Sequence, residues 1–172
     1  MKDKQIYITK PDFDRLTEIT KNIRSRQEID RRSLDELEHS FSSRDELGLI
    51  KEVRKIKSSR NDTEWARIEE LEAELNRAIV VDADKIPPDI VTMNSKVCLR
   101  DADTGKDEIY QLVYPEDADI EQNKISILAP IGTAILGYKV GDIIEWKVPA
   151  GLRELKIKKI VYQPEAAKEY QL

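Results

Sequence analysis

The sequence predicts an α+β protein, in which an N-terminal antiparallel α-helical coiled-coil hairpin precedes an antiparallel β domain with one short helix. Charged residues are densest in residues 1–80, which contain a single glycine, Gly48, and a single proline, Pro11. The other five glycines and six prolines lie after residue 80, where they are typical of turns between strands. This change of character predicts a hairpin over residues 1–84 and a β domain over residues 85–172.

The first arm of the hairpin has a clear start signal. Thr9 is the expected N-cap, Pro11 sits in the first turn, where its missing N–H costs nothing, and Asp12 completes a T-x-x-D pattern. Apolar residues then recur at helical spacing, at Phe13, Leu16, Ile19, Ile23, Leu34, Leu37 and Phe41. The first helix therefore extends to about residue 41.

The second arm opens with an S-x-x-E capping box from Ser43 to Glu46. Its apolar stripe comprises Leu47, Ile50, Val53, Ile56, Trp65, Ile68, Leu71, Leu75 and Ile79. Two arms of about 30 residues fit an antiparallel coiled coil, and each reaches about 45 Å at 1.5 Å per residue. The polar segment 58–62 leaves open an alternative, a compact three-helix bundle folded at that segment.

The β domain follows a rigid connector that contains Pro87 and Pro88. Strands are expected over residues 95–100, 108–114, 124–128, 142–148 and 153–162, with turn residues between them. The segment from Pro130 to Gly137 has the apolar spacing of one helical turn and ends in glycine. It is expected to be the short helix that packs across the sheet.

Composition excludes several classes of protein. A formal net charge of −5 is incompatible with the broadly cationic surface of an autonomous duplex-DNA binder. The single Cys98 excludes an intrachain disulfide and multi-cysteine metal sites, and it favours a reducing compartment. No signal peptide, membrane-spanning run, nucleotide-binding loop or zinc spacing is present. A soluble, cytoplasmic protein without its own cofactor or metal is expected.

The C-terminal half resembles a known family over about Glu74 to Leu172. The matching segments are Val91–Ser95, Leu112–Pro115, Ile125–Gly132, Ile135–Gly137, Val140–Asp142, Trp146, Val148–Gly151 and Tyr162–Ala167. They are similar to the C-terminal domain of the Gre transcription factor superfamily (GreA/GreB-like). Within it they resemble most the regulator-of-nucleoside-diphosphate-kinase (Rnk) branch, although the hairpin here has the length found in Gre cleavage factors.

The resemblance implies an FKBP-like fold for the β domain and bacterial RNA polymerase as the partner. The β domain would dock at the rim of the secondary channel, and the hairpin would enter it to modulate elongation, pausing or initiation. The docking residues implied are Pro130, Ile131, Gly132, Ile135, Leu136 and Gly137. A DNA-binding role follows only from the family association with transcription.

Carboxylates at the tip of a Gre hairpin help to bind the second Mg²⁺ of the polymerase, which suits a hard cation that prefers oxygen ligands. The candidates here are Asp45, Glu46 and Glu52. Anchoring the family pattern on Gly48 retains Glu52 but puts Leu49 where the first acid is expected. A shifted register would use Asp45 and Glu46, although the same two residues also fit plain helix capping.

A basic stripe lies beside the predicted tip. Its members are Lys51, Arg54, Lys55 and Lys57, which are expected on the faces of the helix outside the apolar seam. There they would contact nascent RNA phosphates or acidic channel walls. A solvated charged face is the alternative explanation.

The sequence therefore predicts a non-enzymatic factor that binds RNA polymerase, with stimulation of transcript cleavage left open. One alternative is an Rnk-like regulator that competes with Gre factors or affects nucleoside diphosphate kinase without any role in cleavage. Another is a prolyl isomerase, which needs an apolar aromatic pocket and is disfavoured because the region from residue 87 onward has no phenylalanine, only Trp146 and scattered tyrosines.

Overall fold

The computed structural model describes residues 6–40, 44–148 and 151–169. The side chains of residues 44–47, 50, 53, 55–64, 146–148 and 151–153 lie outside that description. The strands are β1 (Tyr7–Thr9), β2 (Ile79–Val81), β3 (Lys96–Asp101), β4 (Asp107–Val113), β5 (Lys124–Ser126), β6 (Ile143–Val148) and β7 (Gly151–Tyr162). The helices are α1 (Lys10–Ser40), α2 (Arg44–Asn76), α3 (Pro130–Ile135) and α4 (Pro164–Ala167).

The N-terminal half consists of two long helices. The predicted cap of α1 is confirmed, because Thr9 Oγ1 accepts a hydrogen bond from the Asp12 N–H at 3.3 Å and donates to Asp12 Oδ2 at 2.8 Å. Helix α2 runs without a break through residues 58–62, so the alternative of a three-helix bundle is wrong. Ser43 of the predicted capping box lies outside the described residues.

Ion pairs between the two helices show that they run antiparallel. Arg24 near the base of α1 bonds Glu72 near the end of α2, and Arg54 bonds Asp35 further out. Leu16, Ile68 and Leu71 are fully buried at the base, whereas Ile29, Leu37 and Leu49 are exposed further along the hairpin. Apolar burial is therefore concentrated where the helices meet the β domain, and the coiled coil remains a prediction.

One residue assigned to the second apolar stripe belongs to a different element. Helix α2 ends at Asn76, and Ile79 begins β2, which pairs in parallel with β1. Neither of these short strands was predicted. Each has only three residues, too few for the alternation of apolar and polar side chains to be recognised.

The β domain is a five-stranded sheet in the order β5-β4-β3-β7-β6. The predicted strands are all present, but the sheet is not wholly antiparallel, because β5 pairs in parallel with β4. The chain between these strands includes two 3-10 turns, Pro115–Asp117 and Ile120–Gln122, which carry it back before β5 begins. The remaining three pairings are antiparallel.

Two short helices, rather than the one expected, accompany the sheet. Helix α3 packs closely on the end of β5: a Cβ at Gly132 would lie 2.1 Å from the Ser126 carbonyl oxygen, so only glycine fits there. Helix α4 follows β7 directly, and Pro164 stands in its first turn.

The hydrophobic core is continuous across the predicted boundary at residues 84 and 85. Ile6, Ile8 and Leu16 from the N-terminal half share one cluster with residues of the sheet and α3. Gly137 has a φ of 75°, and a Cβ there would lie 2.6 Å from Cγ1 of Ile6. The two predicted units are thus packed together. No helix within the described ranges is both long enough and apolar enough to cross a membrane.

Candidate functional site

The distal part of the hairpin presents one predicted acid to solvent. Glu52 is exposed on α2, together with its neighbour Lys51. A Cβ added at Gly48 would have no atom within 4 Å, and the adjacent Leu49 is exposed. When the Gre tip pattern is aligned on Gly48, Glu52 is the acid that matches it. The carboxylate of Glu52 is accessible to a partner.

The other predicted tip residues are located by their backbone only. Asp45 and Glu46 lie in the first turn of α2, where an acid also favours the helix dipole. Lys55 and Lys57 lie about one to two turns beyond Glu52 in the same helix. The side chains of these four residues are outside the described set, and their roles stay predictions.

Arg54 of the predicted basic stripe forms ion pairs with the first helix of the hairpin. Its Nη2 lies 2.7 Å from Asp35 Oδ1 and 2.7 Å from Glu38 Oε2, both on α1. Arg54 is thus partly exposed and bonded to α1, and its role in the basic stripe stays a prediction. Because the three side chains are partly exposed, the pairs add little stability, but they join the two helices on the distal side of the hairpin.

A cluster at the base of the hairpin joins it to the β domain. The Tyr114 hydroxyl is buried and donates a hydrogen bond to Asp12 Oδ1 at 2.5 Å. The Arg15 guanidinium lies 3.7 Å from the centre of the Tyr114 ring and bonds Glu116 Oε1 at 2.5 Å. We call Asp12, Arg15, Tyr114 and Glu116 the joint.

Electrostatics in the joint follow from this geometry. Burial, and then the charge and hydrogen bond of Asp12, raise the pKa of Tyr114 well above its ordinary value, so the hydroxyl remains a donor. The hydrogen bond from Arg15 lowers the pKa of Glu116. Sequence reasoning missed the joint because Asp12 was accounted for as a helix cap and its partner lies 102 residues away.

A buried carboxylate, that of Glu165, lies close to the joint. Glu165 in α4 accepts a hydrogen bond from Thr92 Oγ1 at 2.7 Å, and burial raises its pKa. It lines a cleft of about 220 Å³ with the first turn of α1 and residues 81–83. The cleft lies where α1, β2 and α4 meet, so it belongs to the packing between the hairpin and the β domain.

The β domain also carries an open, mainly apolar groove of about 580 Å³. Tyr110 and Leu155 of the sheet, the loop around Ile120, and Pro130 at the start of α3 line it. Ile120 is 91% exposed at the rim. Burial raises the pKa of Tyr110 to about 12, with a further contribution from the hydrogen bond that its hydroxyl donates to Glu108.

The predicted docking residues are mostly interior. Ile131, Ile135 and Leu136 belong to the core, and the glycines are held by close packing. A buried side chain makes no contact with a partner surface. Of the six residues, only Pro130 is exposed; it lines the groove together with the largely buried Ile131, and the docking role of the set stays a prediction.

Comparison with known proteins accounts for this combination of hairpin and β domain. The family described as "Transcription elongation factor, GreA/GreB, C-term" matches residues 86–162. The regulator of nucleoside diphosphate kinase of Escherichia coli strain K12 is 42% identical over 103 residues, which cover 59% of this chain and 76% of that protein. The chain belongs to the GreA/GreB family.

Other members match the hairpin as well. The transcription elongation factor GreA of Thermosipho africanus is 29% identical over 159 residues, covering 91% of this chain and 97% of that protein. The solved GreA/GreB structure from Nitrosomonas europaea superposes with a TM-score of 0.59 at 33% identity, over 92% of this chain and 98% of that one. The similarity of this GreA/GreB-family chain to these two relatives therefore extends over nearly their whole length, which includes the hairpin as well as the β domain.

No metal cluster is formed by the chain where it is described. No group of three or more histidine, cysteine or acidic side chains is placed to hold an ion in those ranges. Glu52 is a single carboxylate and cannot hold a metal ion by itself. It can add an oxygen ligand to an ion that a partner already holds.

Proposed function

We propose that this GreA/GreB-family protein is a bacterial transcription factor that binds RNA polymerase and has no catalytic site of its own. The β domain, of FKBP-like fold, docks at the rim of the secondary channel, and the coiled-coil hairpin enters the channel to modulate elongation, pausing or initiation. Such a role places the protein in the cytoplasm.

One observation carries the proposal: a hairpin of two helices, of 31 and 33 residues, is held to the β domain by the joint. Helices of this length reach about 45–50 Å. A rod fixed at its base can hold a side chain at a set distance from a docking surface, which a flexible loop of equal length cannot do. The hairpin is thus suited to act at a depth that the β domain does not reach.

The distal surface supports a role close to the active centre of the polymerase. Glu52 supplies an exposed carboxylate, and Lys51 beside it supplies a cation suited to a phosphate of the nascent RNA. In this proposal the Mg²⁺ belongs to the polymerase, and Glu52 lends it one oxygen ligand. Contact with RNA is local, and autonomous binding to duplex DNA is not expected from the net charge of −5.

The groove is the surface on which the proposed docking is based. It is open and mainly apolar, and Pro130 and Ile120 are available at its edge. Apolar surface of this kind marks a site for a protein partner. Of the other implied docking residues, Ile131 also lines the groove, and the four interior ones would act by packing behind it.

The test is transcript cleavage in stalled, backtracked elongation complexes, with binding to core polymerase measured in parallel. If a tip carboxylate acts on the transition state, Glu52→Gln should reduce cleavage by at least about tenfold and leave binding unchanged. Asp45→Asn and Glu46→Gln report on the shifted register. Failure of the wild-type chain to bind polymerase would contradict the proposal as a whole.

A second candidate function is supported by the match to the regulator of nucleoside diphosphate kinase, which is confined to 103 residues. In this alternative the chain occupies the channel in competition with Gre factors, or affects nucleoside diphosphate kinase, and does not stimulate cleavage. Leu49, exposed where the family pattern has an acid, favours it. Polymerase binding without cleavage by the wild-type chain would select this alternative.

A further inference from the structure

The outer face of the five-stranded sheet carries a group of cations that the proposed function does not use. The members are Lys96 and Arg100 of β3 and Lys156, Lys158 and Lys159 of β7, and all are exposed. Their strand neighbours, such as Leu99 and Ile157, are buried on the opposite face. We call these five residues the cationic face.

A β-bulge increases the charge on this face. Leu99 pairs with Ile157, but Cys98 pairs with Lys159, so Lys158 is the extra residue in β7. Regular alternation would turn one of two successive residues toward the core. At the bulge both Lys158 and Lys159 remain exposed.

The chain neutralises only part of the cationic face. Asp107 accepts hydrogen bonds from Arg100 Nε at 2.6 Å and from Lys158 Nζ at 2.5 Å, and these two contacts lower the pKa of its carboxyl group. Among the residues that the structure describes, Lys96, Lys156 and Lys159 form no ion pair. Glu154 lies two residues before Lys156 in β7, and it is paired with Glu145 of β6.

One pairing on this face is unfavourable for the isolated fold. Arg100 lies directly opposite Lys156 in the ladder between β3 and β7. Like charges directly opposite each other destabilise a sheet. The chain has 34 acidic residues and a net charge of −5, so the uncompensated cations run against its overall balance. An anionic partner that covers the face would remove the repulsion.

The side chains between the cations indicate which kind of anion fits. Ile109 of β4 and Val161 of β7 are each 48% exposed on the same face. Single-stranded nucleic acid is held by cations together with aromatic rings on which the bases stack. An aromatic ring borders the face, that of the half-buried Tyr162 opposite Lys96, and its hydroxyl is bonded to Glu169. The exposed apolar side chains among the lysines are aliphatic, which suits a protein surface that combines carboxylates with apolar groups.

We infer that the cationic face contacts an acidic protein segment that carries aliphatic side chains among its carboxylates, and that this segment belongs to RNA polymerase. The inference rests on the proposed function. It adds a contact that is separate from both the groove and the hairpin.

The first experiment couples lysine amines directly to carboxylates in the complex of the full chain with core polymerase, using a zero-length reagent. Mass spectrometry of the peptides should find links from Lys96, Lys156 or Lys159 to acidic residues of the polymerase. The second compares the triple variant K96E/K156E/K159E with a matched control, K21E/K139E/K168E, which changes three exposed lysines elsewhere.

The cationic-face variant should bind core polymerase about tenfold more weakly near 50 mM salt, and the difference should shrink as salt rises. The control should bind within about twofold of the wild type. Thermal stability should change little, because K156E places an acid opposite Arg100 but also beside the exposed Glu145 and Glu154.

Three results would overturn the inference, and they are distinguishable. If the wild type binds polymerase but the two triple variants bind equally well and no links form, the cationic face is only a solvated surface. If photo-crosslinks from Ile109 or Val161 positions go to RNA instead of protein, the partner is nucleic acid. If the wild type does not bind polymerase, the proposed function fails as well.

Discussion

Tyr114 is the residue on which the connection between the two halves of this molecule depends. It is fully buried, its ring stacks under Arg15, and its hydroxyl donates to Asp12 in the first turn of α1. Asp12 thus serves two partners, the helix cap at Thr9 and the tyrosine of the β domain. The start of the hairpin is ordered by a contact from the second half of the chain.

We expect Tyr114→Phe to lower the free energy of unfolding by about 2 kcal/mol, because a buried hydrogen bond to a carboxylate is lost while the ring is kept. Tyr162→Phe is the matched control, since its hydroxyl also bonds a carboxylate, that of the exposed Glu169. This control should change stability by less than about 0.5 kcal/mol in urea denaturation. Equal losses of stability in the two variants would show that the Tyr114 hydrogen bond contributes no more than an exposed one.

Glu165 predicts a pH dependence of defined sign. Burial raises its carboxyl pKa in the folded state, with a small contribution from Asp12, so folding favours the protonated form. Its contribution to stability is therefore fully present below the ordinary pKa of 4.5 and is lost as pH rises through the folded value. The stability of the wild type relative to Glu165→Gln should fall from acidic to neutral pH.

Asp107→Asn provides a control of opposite sign. Hydrogen bonds from Arg100 and Lys158 lower the pKa of Asp107, so its contribution is present above the ordinary value of 3.8 and is lost as pH falls below it. Relative to this variant, the wild type should gain stability as pH rises. Denaturation curves of the three proteins at several pH values test both slopes, and a common slope would contradict the assignment.

At the scale of the elements, the glycines of α2 and α3 lie in opposite environments. Gly48 lies in the exposed distal part of α2 with free space around it, whereas Gly132 in α3 faces the Ser126 carbonyl oxygen. Glycine lowers helix stability where nothing requires it, and it is necessary where a Cβ would collide with backbone. The difference follows from packing, since both residues lie within helices.

Gly48→Ala should raise stability by about 0.5–1 kcal/mol, because it reduces the conformational freedom of the unfolded chain at an unstrained helical position. Gly132→Ala should cost about 3 kcal/mol or fail to fold, because the Ser126 backbone must move. Thermal denaturation of the two variants checks the prediction. A stable Gly132→Ala protein would mean that α3 can shift away from β5 at little cost.

At the scale of the whole molecule, Ile6 and Ile8, just before and within β1, complete the core of the β domain. Ile6 is fully buried against Gly137, although 131 positions separate them in the chain. Its cluster also includes Leu16 and Leu71 of the helices. A fragment that begins after residue 86 would lack these side chains and expose the apolar surface beneath them.

We expect Ile6→Ala to destabilise the protein by about 3 kcal/mol through the cavity it leaves, while Ile120→Ala at the exposed rim of the groove changes stability by less than about 0.5 kcal/mol. Amide exchange should accelerate in both α1 and β7 of the Ile6 variant, because one core supports both. Faster exchange in α1 alone would show that the two halves unfold separately.

Sequence periodicity determined the two long helices, the five strands of the sheet and the short helix α3, because each has a repeat or a turn signal within a few residues. The resemblance to the Gre superfamily, and not periodicity, singled out Glu52 and the family segments of the C-terminal half. Only the tertiary structure decided the parallel pairing of β5, the strands β1 and β2, the joint and the cationic face. These depend on contacts between residues distant in sequence, and the cations of β3 and β7 are separated by more than 50 positions, so no local pattern records their proximity.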